Sequence, residues 1–76
     1  MDVLETTEIT HERYSAIEIV QREDDGITFR YKRKRDNGYV YPRKGSTRWH
    51  DIKFWKTIGG ARKNSVEYLS LARGMA

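Results

Sequence analysis

Asn37-Gly38 is the strongest local signal in the chain. Both central positions of a type I′ turn need positive φ, and this pair tolerates it, so the dipeptide predicts a tight hairpin and an antiparallel sheet around it. In that hairpin Arg35 faces Val40, Lys34 faces Tyr41 and Lys32 faces Arg43. One face then carries Arg30, Lys32, Lys34, Tyr39, Tyr41 and Arg43. The other carries Phe29, Tyr31 and Val40, with Arg33 and Arg35 near its rim. Pro42 has no backbone donor, which suits an edge strand or the end of a ladder.

Two β-branched runs precede the turn. Ile17, Ile19 and Val20 mark a strand from Tyr14 to Arg22, and Ile27, Thr28, Phe29 and Tyr31 mark another from Ile27 to Arg35. Asp24-Asp25-Gly26 joins them, and its length decides which side chains share a face, because a slip of one residue moves every side chain across the sheet. A two-residue Asp25-Gly26 turn would set Ile17 and Ile19 opposite the face of Phe29 and Tyr31. A three-residue loop with Gly26 left-handed in a bulge pairs Glu23 with Ile27, Gln21 with Phe29 and Ile19 with Tyr31. The second choice is preferred, since it gathers the apolar residues on one side and sets Glu18 across from Lys32.

Beyond Pro42 the pattern is less decisive. Residues 43–48 form a basic loop. In 49–58 the spacing of Trp49, Ile52, Phe54, Trp55 and Ile58 fits a helical stripe capped by Ser46 or Thr47, while the alternation His50, Ile52, Phe54 fits a strand almost as well. The reading leans slightly to helix. Gly59-Gly60 ends that element either way. Asn64 and Glu67 have the spacing of a capping box, with Val66, Leu69, Leu71 and Ala72 on the inner side of a short helix closed by Gly74; a final strand over 66–71 is the alternative.

These elements give an α+β fold, a three-stranded antiparallel sheet over residues 14–42 with one or two C-terminal helices on one face. The runner-up is a small all-β barrel. Residues 1–13 read as an acidic leader that frays, because Val3, Leu4 and Ile9 are too scattered to define an element; residues 14–76 form the single small domain. A chain of 76 residues is marginally stable alone, so a homo-oligomer or a bound partner is plausible. Without cysteine there is neither a disulfide framework nor a thiolate metal site. No apolar run suits a signal peptide or a membrane span, and cytoplasm is the expected compartment.

Charge is segregated along the chain. Residues 1–25 hold eight acids and two bases, and the remaining 51 hold thirteen bases and three acids. Ordinary solubility asks for both signs interspersed, so the basic part reads as a surface for a polyanion. The candidate nucleic-acid contacts are Arg30, Lys32, Lys34, Arg43, Lys44, Arg48, Arg62 and Lys63, with Tyr39 and Tyr41 as stacking platforms. Alternate residues of a strand lie near 7 Å apart, which is the scale of phosphate spacing. DNA is slightly preferred to RNA. The bland reading of the same residues is a wet outer sheet face, with the tyrosines packed over lysine stems.

Catalysis finds no support in the residues. His50 and Asp51 are adjacent and diverge in a strand, His11 lies in the leader, and no metal, phosphate-loop or nucleophile motif is present. No cofactor is expected. The expected function is a small non-enzymatic nucleic-acid-binding or regulatory protein. The competing class is a protein-interaction module, an inhibitor or assembly factor, in which the acidic segment could itself meet a basic partner. The expected topology resembles small sheet-type DNA-binding domains of mobile-element proteins, a likeness of topology alone that gives no residue a role.

Overall fold

The computed structural model describes residues 1–42 and 52–71. The basic loop with Arg43, Lys44 and Arg48, the proposed caps Ser46 and Thr47, Trp49, His50, Asp51 and the segment containing Ala72 and Gly74 lie outside the described residues. Strands β1 (Asp2–Glu8), β2 (Tyr14–Arg22), β3 (Gly26–Arg33) and β4 (Tyr39–Val40) form an open antiparallel sheet in chain order, and helix α1 (Ile58–Leu71) packs on one face. The fold is α+β. The sheet does not close, so there is no barrel.

The expectation of three strands is corrected to four. Asp2–Glu8, expected to fray, pairs with β2 from Asp2↔Gln21 to Glu8↔Ala16, with a bulge between Val3 and Glu5. An edge strand wet on both sides needs no apolar alternation, and six of the seven β1 residues are exposed, which is why the hydrophobic pattern missed it.

The β2–β3 register also differs from expectation. Arg22 pairs with Gly26, Ile19 with Phe29 and Ile17 with Tyr31, so Glu23-Asp24-Asp25 forms the loop and the ladder is displaced by two positions. Glu18 therefore faces Arg30 and not Lys32. The left-handed residue in the loop is Glu23, at φ 43°; Gly26 has the expected positive φ, 120°, but within the strand. A side chain at Gly26 would sit 3.3 Å from the Trp55 carbonyl oxygen, so glycine is needed both for conformation and for space.

The second turn is a correction as well. Tyr31 pairs with Val40 and Lys32 with Tyr39, which leaves a four-residue loop, Lys34 to Asn37. Asn37 alone takes positive φ there, 58°, while Gly38 does not. Asp36 explains the longer loop: its Oδ1 accepts from the Gly38 amide at 2.9 Å and from Arg33 Nε at 3.0 Å, closing the turn through a side chain. Both displacements are even, by two and by four residues. Ile17, Ile19, Phe29, Tyr31 and Val40 consequently still share one face.

That face carries the core. Tyr14, Ile17, Ile19, Phe29, Tyr31 and Ala61 are buried together, flanked by Ile9, Ile27, Val40, Trp55, Tyr68 and Leu69. The stripe that α1 turns inward is Ala61, Ser65, Tyr68 and Leu69, while Val66, expected inside, is 58% exposed. Small residues at 61 and 65 let the helix approach closely, and the Tyr31 hydroxyl donates to the Ser65 carbonyl at 2.6 Å. Thr57 caps the helix: its Oγ1 accepts from the Gly60 amide at 3.0 Å. Gly59-Gly60 therefore opens α1 and does not end an element, and Asn64 sits inside the helix, donating to the Gly60 carbonyl at 2.8 Å.

The lean toward helix for the segment before Thr57 is also overturned. Trp55 exchanges backbone hydrogen bonds with Ile27 at 2.7 and 3.1 Å, along the edge of β3 that β4 also uses, and Lys53 donates its amide to the Pro42 carbonyl at 2.9 Å. Trp55 is thereby set, half-buried, against Phe29 of the core face, with ring centroids 5.2 Å apart, and Ile52 is buried.

Candidate functional site

The opposite face of the sheet is not the uniformly wet, basic surface expected from the sequence. Val20 and Thr28 on it are completely buried and Ala16 is 7% exposed. Thr28 resolves its hydroxyl by donating to the Lys53 carbonyl at 2.7 Å. On the same face Glu18 and Arg30 stand between the Val20–Thr28 pair and Ala16, and Lys32 and Tyr39 follow toward the β3–β4 loop.

Arg30, the first residue of the expected phosphate ridge, is already engaged. Its Nε donates to Glu18 Oε1 at 2.7 Å, its Nη1 donates to the Tyr41 hydroxyl at 2.9 Å, and its guanidinium carbon lies 3.8 Å from the centre of the Tyr39 ring. Burial works against the charge, but the hydrogen bonds to Tyr41 and Glu18 outweigh it and hold the guanidinium pKa above its ordinary value. Tyr39 and Tyr41 are thus gathered around Arg30 and do not stand apart as independent platforms.

Lys32 stands across from Tyr39 and forms no ion pair among the described residues. Lys34 has left the strand for the β3–β4 loop, so Arg30, Lys32 and Lys34 do not form the expected straight ridge. Arg62 is elsewhere: it projects from α1 and grips Glu5 of β1 with two nitrogens, at 2.7 to 3.1 Å. That hydrogen bonding holds the Glu5 carboxyl below its usual range. Lys63 is exposed on α1, which packs on the core face. The candidate cations that the structure describes therefore occupy at least two surfaces.

One cluster that the sequence did not single out lies at the end of the sheet where the β1–β2 and β3–β4 loops meet. The Lys34 amide donates to the Arg13 carbonyl at 2.9 Å, joining the two loops, and the Arg13 amide donates to His11 Nδ1 at 3.0 Å. A cleft of about 630 Å³ opens there, lined by Glu12, Arg13, Tyr14, Arg33, Lys34, Arg35 and Val40. Among its described lining residues four cations thus face one acid. Arg33 is balanced by Asp36, 3.0 Å away, whose carboxyl is held below its usual range by the Gly38 amide and by Arg33. Arg13, Lys34 and Arg35 form no ion pair among the described residues. The run Arg33-Lys34-Arg35 within a turn was the available signal for this site; the approach of Arg13, some twenty residues away, had none.

Among the described residues no three histidine, cysteine, aspartate or glutamate side chains are grouped to hold a metal ion. No described helix is long and apolar enough to cross a membrane. No protein family model matches the chain. Neither a curated protein nor a solved structure is significantly similar to it.

Proposed function

We propose that the protein is a small nucleic-acid-binding or regulatory protein of the cytoplasm that holds phosphates at the loop end of its sheet and performs no chemistry of its own. The observation that carries this reading is the gathering of Arg13, Lys34 and Arg35 at the loop end of the sheet, with Lys32 near the same end of β3 on the outward face, none in an ion pair among the described residues. Cations outside ion pairs keep more of their field for an external anion than Arg30 and Arg62, which are hydrogen-bonded to Glu18 and Glu5. The phosphate-contacting set is accordingly revised: Arg30 and Arg62 leave it, Arg13 and Arg35 enter it, and Lys32 and Lys34 remain. DNA stays the preferred polymer.

The test is fluorescence anisotropy with labelled single-stranded DNA, duplex DNA and RNA at several salt concentrations. Four phosphate contacts would give a slope of log affinity against log salt of about −3 to −4, and replacing Lys34 and Arg35 by alanine should reduce its magnitude by about 2. Absence of binding by the wild type at low salt rejects the reading.

One observation favours the protein-interaction alternative. The outer edge of β1 is unpaired among the described residues, and Met1, Val3 and Leu4 beside it are 40–54% exposed. On that reading charge removal at Lys34 and Arg35 would leave partner binding intact.

A further inference from the structure

We infer that the outer edge of β1 is a docking site for an extended, basic segment of a partner protein, which joins the sheet as an added strand. This surface uses none of the cations assigned to phosphate and goes beyond the proposed function.

The backbone supplies the first half of the site. The Ile9 amide donates to the Ser15 carbonyl at 3.1 Å, and in the same register Glu8 pairs with Ala16 and Thr6 with Glu18. Hydrogen-bonded and non-hydrogen-bonded pairs alternate along an antiparallel ladder, so Glu8–Ala16 and Thr6–Glu18 are of the second kind. The amides and carbonyls of Thr6 and Glu8 therefore point away from β2. No described strand takes them up, because β1 is the terminal strand of the sheet, and α1 packs on β2 and β3. At the far side of the sheet β4 has only two residues, against seven in β1, which makes β1 the longest open edge among the described residues. Such a row of unpaired donors and acceptors is a template for another chain.

Side chains decide which chain. Asp2, Glu5 and Glu8 are the charged residues of β1, and no lysine or arginine occurs before Arg13. Glu5 is held by Arg62, whereas Asp2 and Glu8 form no ion pair among the described residues. The two lie on opposite faces: Asp2 across from Gln21, and Glu8 across from Ala16. A strand with lysine or arginine on both of its faces would set a cation beside each, and its β-branched residues would meet Val3 and Leu4, which are 49% and 40% exposed. A second copy of β1 is the wrong occupant, since it would add three more acids and no base. Edge charges commonly guard against pairing of any kind; here their single sign rejects self-association and admits the opposite charge. The bulge between Val3 and Glu5 confines regular pairing to the segment around Thr6 and Glu8.

The experiment measures anisotropy of short labelled peptides with the full chain at fixed salt and without nucleic acid. The probes are a lysine–valine peptide with lysine on both faces, its glutamate–valine counterpart, and the lysine peptide with every backbone amide methylated. We expect the first to bind at least about tenfold more tightly than either of the others, and to shift the amide resonances of Thr6 and Glu8 but not those of Lys34 and Arg35. Thr6→Pro removes an amide that points away from β2, so it should weaken the lysine peptide about tenfold while the β1–β2 ladder persists. Glu8→Lys, an exposed substitution outside the core, should weaken the lysine peptide and strengthen the glutamate one. Replacing Lys34 and Arg35 by alanine should leave peptide affinity unchanged, which keeps this result separate from phosphate binding. Equal affinity for the plain and methylated lysine peptides, unchanged affinity in Glu8→Lys, or dimerisation of the free chain that Thr6→Pro abolishes overturns the inference, and each leaves the nucleic-acid reading where it stands.

Discussion

Arg30 brings two nitrogens, Nε and Nη2, to the same oxygen of Glu18, each at 2.7 Å. The pair spans β2 and β3 with side chains only 14% and 12% exposed, so it lies between the exposed ion pairs that contribute little and the buried ones whose disruption strands a charge. Glu18→Ala should therefore destabilise the fold by about 1–3 kcal/mol in urea unfolding, leaving Arg30 with Tyr41 but no counter-charge. Lys32→Ala, on the adjacent outward position, should stay within about 0.5 kcal/mol of wild type. Equal stability of the two variants would show that the pair contributes nothing beyond its neighbours.

Gly26 and Gly59 make opposite demands. Gly26 has φ of 120°, and an added Cβ would meet the Trp55 carbonyl at 3.3 Å, whereas an added Cβ at Gly59 meets nothing within 4 Å. Gly26→Ala should cost about 1–3 kcal/mol. Gly59→Ala, in the first turn of α1, should instead stabilise by up to about 1 kcal/mol. Chemical denaturation of both variants checks the contrast; a neutral Gly26→Ala would mean that the close pairing of Ile27 and Trp55 does not constrain the strand.

The faces of the sheet were legible while its registers were not, and one fact accounts for both. Side chains alternate with period two, and the two turns differed from expectation by even displacements, so Ile17, Ile19, Phe29, Tyr31 and Val40 stayed together although their partners changed. Turn chemistry was misread because Asp36 closes its loop by side-chain hydrogen bonds, which a dipeptide signal such as Asn37-Gly38 does not anticipate. β1 was invisible for lack of a buried face. Residues 52–57 were ambiguous because Trp55 is placed by pairing with Ile27, a contact between distant parts of the chain. At the site, each cation was legible as a cation, but its balance was not: Glu5 answers Arg62 from 57 positions away. The cleft depends on Arg13 and Lys34 meeting through their backbones, and no local pattern encodes that.

Acid and alkali should each loosen a different part of the fold. Glu5 and Asp36 have carboxyl pKa values below their ordinary 4.5 and 3.8, Glu5 through its hydrogen bonds to Arg62 and Asp36 through the Gly38 amide and Arg33. A depressed folded pKa means that the unfolded chain binds the proton first, so their stabilisation is complete above pH 4.5 and is lost as pH falls through the folded values. Tyr31 behaves in the opposite sense. Burial, with Tyr14 and Tyr68 nearby, raises its pKa above the ordinary 10.0, so its contribution is complete below pH 10.0 and declines as pH rises beyond it. Melting temperature measured from pH 2 to 12 should fall at both ends. Glu5→Gln should flatten the acid limb and Tyr31→Phe the alkaline one, and an unchanged acid limb in Glu5→Gln would discount the Arg62 contact.

Trp55 joins three parts of the structure, and its removal should be felt in all of them. Its backbone closes the edge of β3 at Ile27, its ring lies 5.2 Å from Phe29, and it meets Tyr68 of α1 edge-on at 6.4 Å. Because the residue is half-buried, the loss should fall below that of a fully enclosed tryptophan, at about 2–4 kcal/mol for Trp55→Ala. Trp55→Phe keeps a ring against Phe29 and should recover more than half of that loss. Amide hydrogen exchange distinguishes the roles: if the indole fastens the helix to the sheet, protection in Trp55→Ala should fall across α1 and at Ile27 while β1 and β2 keep theirs, whereas a uniform fall would make Trp55 one contributor to global stability and not the clasp between α1 and β3.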